Sequence, residues 1–194
     1  MRSIIQNLKE QSRIFMLPTY IIEKIEKSPQ LPILLQDMKL YLKLDHCDED
    51  DLITSLIKTA LQSFEMFVAS TLFPAKVEVI CFANDSAKIT LPRRPVISIE
   101  ELMISYSAEV GKSEHMLSPK DWVINERGCI YLRYRRFFQY CRVRYTAGIV
   151  KDGSEVPEVL RGIMMRHAAH LYENRWSNEN FDMEEYGRYK KYLL

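Results

Sequence analysis

Between Asp48 and Leu72 the apolar positions step by one, three or four residues: Leu52, Ile53, Leu56, Ile57, Ala60, Leu61, Phe64, Phe67, Val68 and Leu72. That spacing is one face of a 3.6-residue period and predicts a long amphipathic helix. Asp48 is placed to cap it, with Glu49, Asp50 and Asp51 set against the positive end of the helix dipole. Pro74 closes the far end. About 25 residues make a rod of roughly 37 Å. Burying its apolar face is worth on the order of 15–30 kcal/mol gross, so this helix is expected to carry the core.

The same reading extends along the chain. Residues 4–27 fit a helical arm, with Ile4, Ile5, Leu8, Phe15, Tyr20, Ile21, Ile22 and Ile25 as its apolar members and a break or kink near Pro18. Pro29 and Pro32 mark a linker. Residues 34–44 read as a short helix with Leu35, Met38 and Leu42 on one side. After Pro74 the period changes to that of strands. Residues 76–82 and 88–91 flank the turn cluster 83–86 and predict a hairpin. Pro92 and Pro95 bracket Arg93 and Arg94 in an extended crossing, after which residues 96–105 resume β character. Residues 107–120 form a polar loop. Trp122–Ile124 is expected to pair with Cys129–Leu132 across the turn 125–128. From Tyr140 to Tyr145, Tyr140, Arg142 and Arg144 alternate with Cys141, Val143 and Tyr145, the period of a half-buried strand. Helix returns at 157–175, with Ser154 as N-cap and Pro157 and Glu158 in the first turn. The tail to Leu194 is polar and aromatic.

Helices, then strands, then a helix point to α+β rather than a parallel α/β sheet. The reading is a helical bundle, built on 48–72 and 157–175, with a small antiparallel β region inserted at 76–146. An N-terminal helical arm covers 1–33, a main domain 34–175 and a tail 176–194.

Composition narrows the function. The chain has 194 residues, is 47% hydrophobic and 27% charged, and has a net charge of +1. That balance is globular and argues against a general nucleic-acid or membrane-surface binder. The four cysteines, Cys47, Cys81, Cys129 and Cys141, form no CxxC and read as reduced thiols of a cytosolic setting. No signal-peptide pattern and no membrane-spanning apolar stretch is visible.

The most chemical-looking run is 131–145, with Arg133, Arg135, Arg136, Arg142 and Arg144 interleaved with aromatics. It supports two readings. Arginines bind phosphate while aromatic faces stack bases, which makes Arg142 and Arg144 candidates for DNA contact. Alternatively the run is one polar sheet face that answers the acidic turn 45–51 or a partner subunit. His167 and His170, with Glu173 following, have the spacing of a metal half-site, but His167 lies on the apolar stripe and reads better as a packed histidine. The acidic run lacks calcium-loop spacing. No phosphate-cradling or nucleophile motif occurs. No catalytic residue, metal site or cofactor is therefore expected.

Three stretches together resemble one family. YLKLDHCDEDDLITSLIKTALQSFEMFVASTL, LPRRPVISIEEL and RYTAGIVKDGSEVPEVLRGIMMRHAAHLYENR are similar, in order and spacing, to phage head–tail connector (head-completion or adaptor) proteins. The likeness covers about 34–175. It implies a non-enzymatic subunit of a ring of about twelve copies beneath the portal of a tailed phage, prophage or gene-transfer particle. Such a ring extends the DNA channel and receives the tail or stopper protein. The resemblance implies assembly in the host cytoplasm and residence in the particle, with DNA passing without sequence specificity and no membrane partner. It also implies portal docking by the tail, here Trp176, Phe181, Tyr186, Tyr189 and Tyr192, whose large aromatics suit an interface. A tail of this type can stay unfolded until it docks. In a head-to-tail ring, Asp48, Glu49, Asp50 and Asp51 of one copy are expected to pair with Arg133, Arg135 and Arg136 of the next.

Overall fold

The structure, a computed structural model, describes residues 20–82, 88–107, 109–133, 138–177, 179–187 and 189. Its elements are β1 (Tyr20–Lys27), α1 (Leu35–Leu42), α2 (Asp50–Val68), β2 (Ala75–Phe82), β3 (Lys88–Thr90), β4 (Val96–Ser105), β5 (Glu114–Met116), β6 (Trp122–Ile124), β7 (Cys129–Leu132), β8 (Tyr140–Ala147) and α3 (Glu158–Glu173). Two compact units result. One gathers the chain up to Glu26, Lys76–Pro92 and Val96–Thr146; the other gathers Lys27–Ala75, Arg93–Pro95 and the chain from Ala147 onward. Residues 4–19 of the expected arm lie outside the described residues.

In the helical unit α2 buries Ile53, Ile57, Ala60, Leu61, Phe64 and Val68, the stripe its spacing predicts. Its ends differ from expectation. The N-cap is Glu49, with no side-chain capping bond, so Asp48 does not cap the helix. The C-terminus is set before Pro74: Ala69 turns left-handed at φ 53°, and its N–H reaches the carbonyls of Glu65 and Met66. A left-handed residue that closes on the last carbonyls stops a helix without help from proline. α1 ends in the same way at Lys43, φ 59°, and buries Met38. α3 starts after Pro157. Ser154 is not its cap; it sits in a separate short 3-10 turn whose own cap is Asp152, which accepts the Ser154 N–H at 2.8 Å.

The core of this unit joins Ile33, Met38, Ile57, Phe64, Leu72, Phe73, Val156, Leu160, Met164, Ala168 and Tyr186. It is assembled from three helices plus irregular segments and a tail residue, not from helices alone. The α+β class holds in that coarser form.

The other unit holds a five-stranded sheet, ordered β1-β2-β8-β4-β5, and a three-stranded sheet, ordered β3-β7-β6. Two expectations are corrected. Residues 20–27 form a strand rather than the end of a helix, because their isoleucines find a partner strand in β2. Residues 76–91 are not a hairpin. β2 lies between β1 and β8, while β3 pairs antiparallel with β7, matching Ile89 to Ile130. The expected β6–β7 hairpin is present, with Val123 opposite Tyr131. Its turn closes on Asn125, whose Oδ1 accepts the N–H groups of Arg127 and Cys129 at 3.1 and 2.9 Å, and Gly128 takes φ 67°. On β8, Val143 and Tyr145 are fully buried while Arg144 between them is exposed, the alternation its sequence shows. All four cysteines are free; Cys47 is exposed and the others are buried. Among the described residues no helix is long and apolar enough to cross a membrane.

Candidate functional site

Four groups of residues carry the functional question: the acidic turn, the charged sheet face, the aromatic tail and the segment that locks the end of α2.

The acidic turn is partly committed inside its own unit. Asp50 accepts from Lys39 Nζ at 2.8 Å. Glu49 accepts from the Tyr172 hydroxyl and from Arg175 Nη1, the latter at 3.2 Å. Those donors hold its carboxyl below the usual range. The Arg175 guanidinium also lies 4.7 Å above the Tyr172 ring, a cation–π contact. Asp48, with 94% of its side chain exposed, and the exposed Asp51 present the open charge of this turn.

Arg142 and Arg144 project from β8 onto a face crowded with carboxylates. Arg142 donates to Glu78 at 2.8 Å and to Glu114 at 3.1 Å; Arg144 donates to Glu78 at 3.2 Å and Glu101 at 2.9 Å. Tyr140 donates to Glu114 at 2.9 Å and Thr146 to Glu100 at 2.7 Å. Hydrogen bonds from Arg142 and Arg144 hold the Glu78 carboxyl below its ordinary range against the opposing effect of burial. Both guanidiniums are thus matched by carboxylates in their own sheet, and the charge offered to a phosphate backbone is small. Arg133 is exposed beyond the end of β7, while Arg135 and Arg136 lie outside the described residues.

The tail divides. Trp176 is 93% exposed. Phe181 stacks on His167, with ring centroids 4.2 Å apart and planes at 9°. Tyr186 is fully buried and meets Phe64 edge-on at 5.2 Å. Tyr189 also meets Phe64 edge-on at 6.4 Å, and Tyr192 lies outside the described residues. Phe181 and Tyr186 are thus packed within the helical unit, and Tyr186 is a core residue rather than a surface anchor. His167 Nδ1 and the Tyr186 hydroxyl share a hydrogen bond at 3.1 Å. Burial, with the charge of His170, lowers the His167 pKa to about 4. The ring is therefore neutral and packed. Among the described residues no cluster of three metal-ligating side chains forms.

The fourth group escaped the reading of single residues. Arg93 Nη1 donates to the carbonyls of Glu65 and Ser70 at 2.7 and 3.0 Å, so a cation closes the negative end of α2. The buried Glu65 carboxylate accepts the Leu72 N–H at 2.9 Å and pairs with Lys27. Thr71 donates to the Ala147 carbonyl at 3.0 Å, and Gly148 N–H to the Pro95 carbonyl at 3.1 Å. A Cβ on Gly148 would sit 2.8 Å from the Pro74 nitrogen, so the backbones approach closer than any side chain allows. The LPRRP and YTAG motifs are the sequence signal for this lock.

The LPRRP motif falls inside a stretch that matches a known family, and the YTAG motif falls outside it. Residues 32–119 match the family model of phage gp6-like head-tail connector proteins. The chain is similar to that family over this stretch. No curated protein sequence matches it. Among solved structures it is similar to a chain in the virion of a native gene transfer agent (GTA) particle, at 17% identity and TM-score 0.68, with 91% of this chain and 95% of that chain covered. A chain in the neck of a native GTA particle computed with C12 symmetry gives 19% identity and TM-score 0.67, covering 87% and 94%. One in the neck of an empty particle computed with C6 symmetry gives 18% and 0.65, covering 86% and 94%. At these identities the likeness is one of fold, and it extends well beyond residues 32–119 at both ends.

Proposed function

We propose that this chain is a structural subunit of a head–tail connector in a tailed phage, prophage or gene-transfer particle. The observation that carries this reading is the match of residues 32–119 to a connector-family model together with a fold shared, over 91% of the chain, with a chain of a gene-transfer-agent virion. Symmetric necks make a homo-oligomeric ring of about twelve copies the natural assembly, with heterologous contacts that close. The subunit assembles in the host cytoplasm, sits under the portal in the particle, extends the DNA channel and receives a tail or stopper protein. It does this by shape, without catalytic residues or cofactor.

Trp176, at 93% exposure beyond α3, is the strongest anchor for the portal, helped by the outer faces of Phe181 and Tyr189 and by Tyr192. Asp48 and Asp51 face the neighbouring copy's Arg133, Arg135 and Arg136. Matched charges around Arg142 and Arg144 suit DNA that must slide rather than stick.

The test is reconstitution with the portal protein of the same particle. Electron microscopy of the mixture is expected to show an added ring beneath the portal. Absence of binding by both microscopy and native mass spectrometry overturns the reading. Reversing Arg135 and Arg136 is expected to weaken ring formation, and unchanged assembly removes that interface from the proposal.

A further inference from the structure

The five-stranded sheet ends in two edges that have no partner among the described residues. At one end, the whole eight-residue strand β1 has β2 on one side only. At the other, β5 covers only Met103, Ile104 and Ser105 of β4, and the Leu102 carbonyl is taken by Leu117 N–H at 2.8 Å. Val96–Glu101 is left with an open outer edge. An unpaired edge is a template for another strand, and proteins usually blunt it with proline, lysine or a cover. Val96–Glu101 contains neither proline nor lysine, and its Ile97 is 56% exposed. On β1, Ile21 is 40% exposed.

We propose that β1 of one copy adds to the open edge of β4 in the next copy, so that the five-stranded sheet continues from subunit to subunit. This rests on the connector-ring reading and names the contact that would build it. The occupant is a second copy because the two open edges belong to the same sheet and differ from each other. Such a pair of edges joins head to tail, the heterologous arrangement that closes rings. Val96–Glu101 offers about 20 Å of edge at about 3.3 Å per residue, room for six of the eight residues of β1 in line with β5. Scale fits as well. Because the incoming β1 shares the place of β5, four strands at about 4.8 Å give about 19 Å per copy, so about twelve copies close a circle about 73 Å across, wide enough to leave a DNA channel inside the sheet.

Crosslinking of the full chain tests this. In a Cys47→Ser background, copies with Ile21→Cys are mixed with copies carrying Ile97→Cys and treated with bismaleimides of graded length, so that register offsets at about 3.3 Å per residue are spanned in turn. Both sites are exposed, so folding is not at stake. The expected result is a peptide, identified by mass spectrometry, that links the thiol introduced on β1 to the thiol introduced on β4. Its yield should be about tenfold above either variant alone and above mixtures with Met66→Cys, an exposed site on α2, because paired edges hold the thiols at high effective concentration. Equal yields at all sites overturn the proposal. So does the absence of a link between the β1 and β4 thiols, whether or not rings form. The connector reading is judged separately, by portal binding of the unmodified chain.

Discussion

His167 on α3 and Tyr186 in the tail share a buried hydrogen bond at 3.1 Å, with both side chains nearly or wholly excluded from solvent. The bond fastens residues after α3 to the core of the helical unit. His167 is held neutral down to about pH 4, whereas its ordinary value is 6.5. Between those values the unfolded chain binds the proton and the folded chain does not. Stability is therefore complete above about pH 6.5 and falls as the pH drops toward 4, by up to about 3 kcal/mol. Urea denaturation at pH 7 and pH 4.5 checks this, and His167→Asn should flatten the difference.

Tyr186 fills space beside Phe64 and His167 as well as making that bond. Tyr186→Phe removes the hydroxyl alone and is expected to cost about 1–3 kcal/mol, the range for an orphaned buried partner. Tyr186→Ala adds a cavity and should cost about 3–5 kcal/mol. If Tyr186 were a surface anchor, both variants would keep wild-type stability in chemical denaturation and differ only in binding.

Arg93 closes the end of α2 through two carbonyls. Each is a charge-assisted bond, so Arg93→Met is expected to destabilise by about 2–4 kcal/mol. Arg93→Lys should recover only part, because an ammonium does not reproduce the planar fork. Thermal denaturation of the two variants beside the wild type reads both effects.

Gly148 sits against Pro74 with no room for a methyl group. Gly148→Ala should cost about 1–3 kcal/mol through overpacking against backbone that cannot retreat. A melting temperature equal to wild type would mean the two segments separate at little cost.

How far the chain could be read in advance follows from how local each signal is. The stripe from Ile53 to Val68 names one helix face because its period is written in adjacent turns. The alternation at Val143, Arg144 and Tyr145 is local in the same sense. Strand partners are not. Nothing near Ile89 says that it will lie opposite Ile130 rather than beside β2. Ile21, Ile22 and Ile25 fit a helix face and a strand alike, and β2 decides between them. Asp48 has the chemistry of a cap, but α2 begins at Asp50 and leaves it in solvent. The tail aromatics share one polar context, yet Tyr186 is buried and Trp176 exposed, because burial there depends on the pocket formed by Phe64 and His167. Glu65, Arg93 and Gly148 were visible only as parts of motifs, since their work is to join segments far apart in sequence.

The charge balance on the five-stranded sheet makes the last prediction. Glu78 and Glu101 accept from Arg142 and Arg144 at 2.8–3.2 Å and cancel most of their field. The double variant Glu78→Gln, Glu101→Gln keeps hydrogen-bond acceptors but removes both carboxylates that pair with Arg144 and one of the two that pair with Arg142. Its affinity for random duplex DNA should rise above wild type, and the slope of log K against log salt should steepen by about 1–2, as each new phosphate contact releases counterions. Filter binding or fluorescence anisotropy across a salt series measures both. An unchanged slope would mean that the remaining carboxylates, Glu114 beside Arg142 first among them, still screen the arginines, and that this face is inert toward DNA even without its central carboxylates.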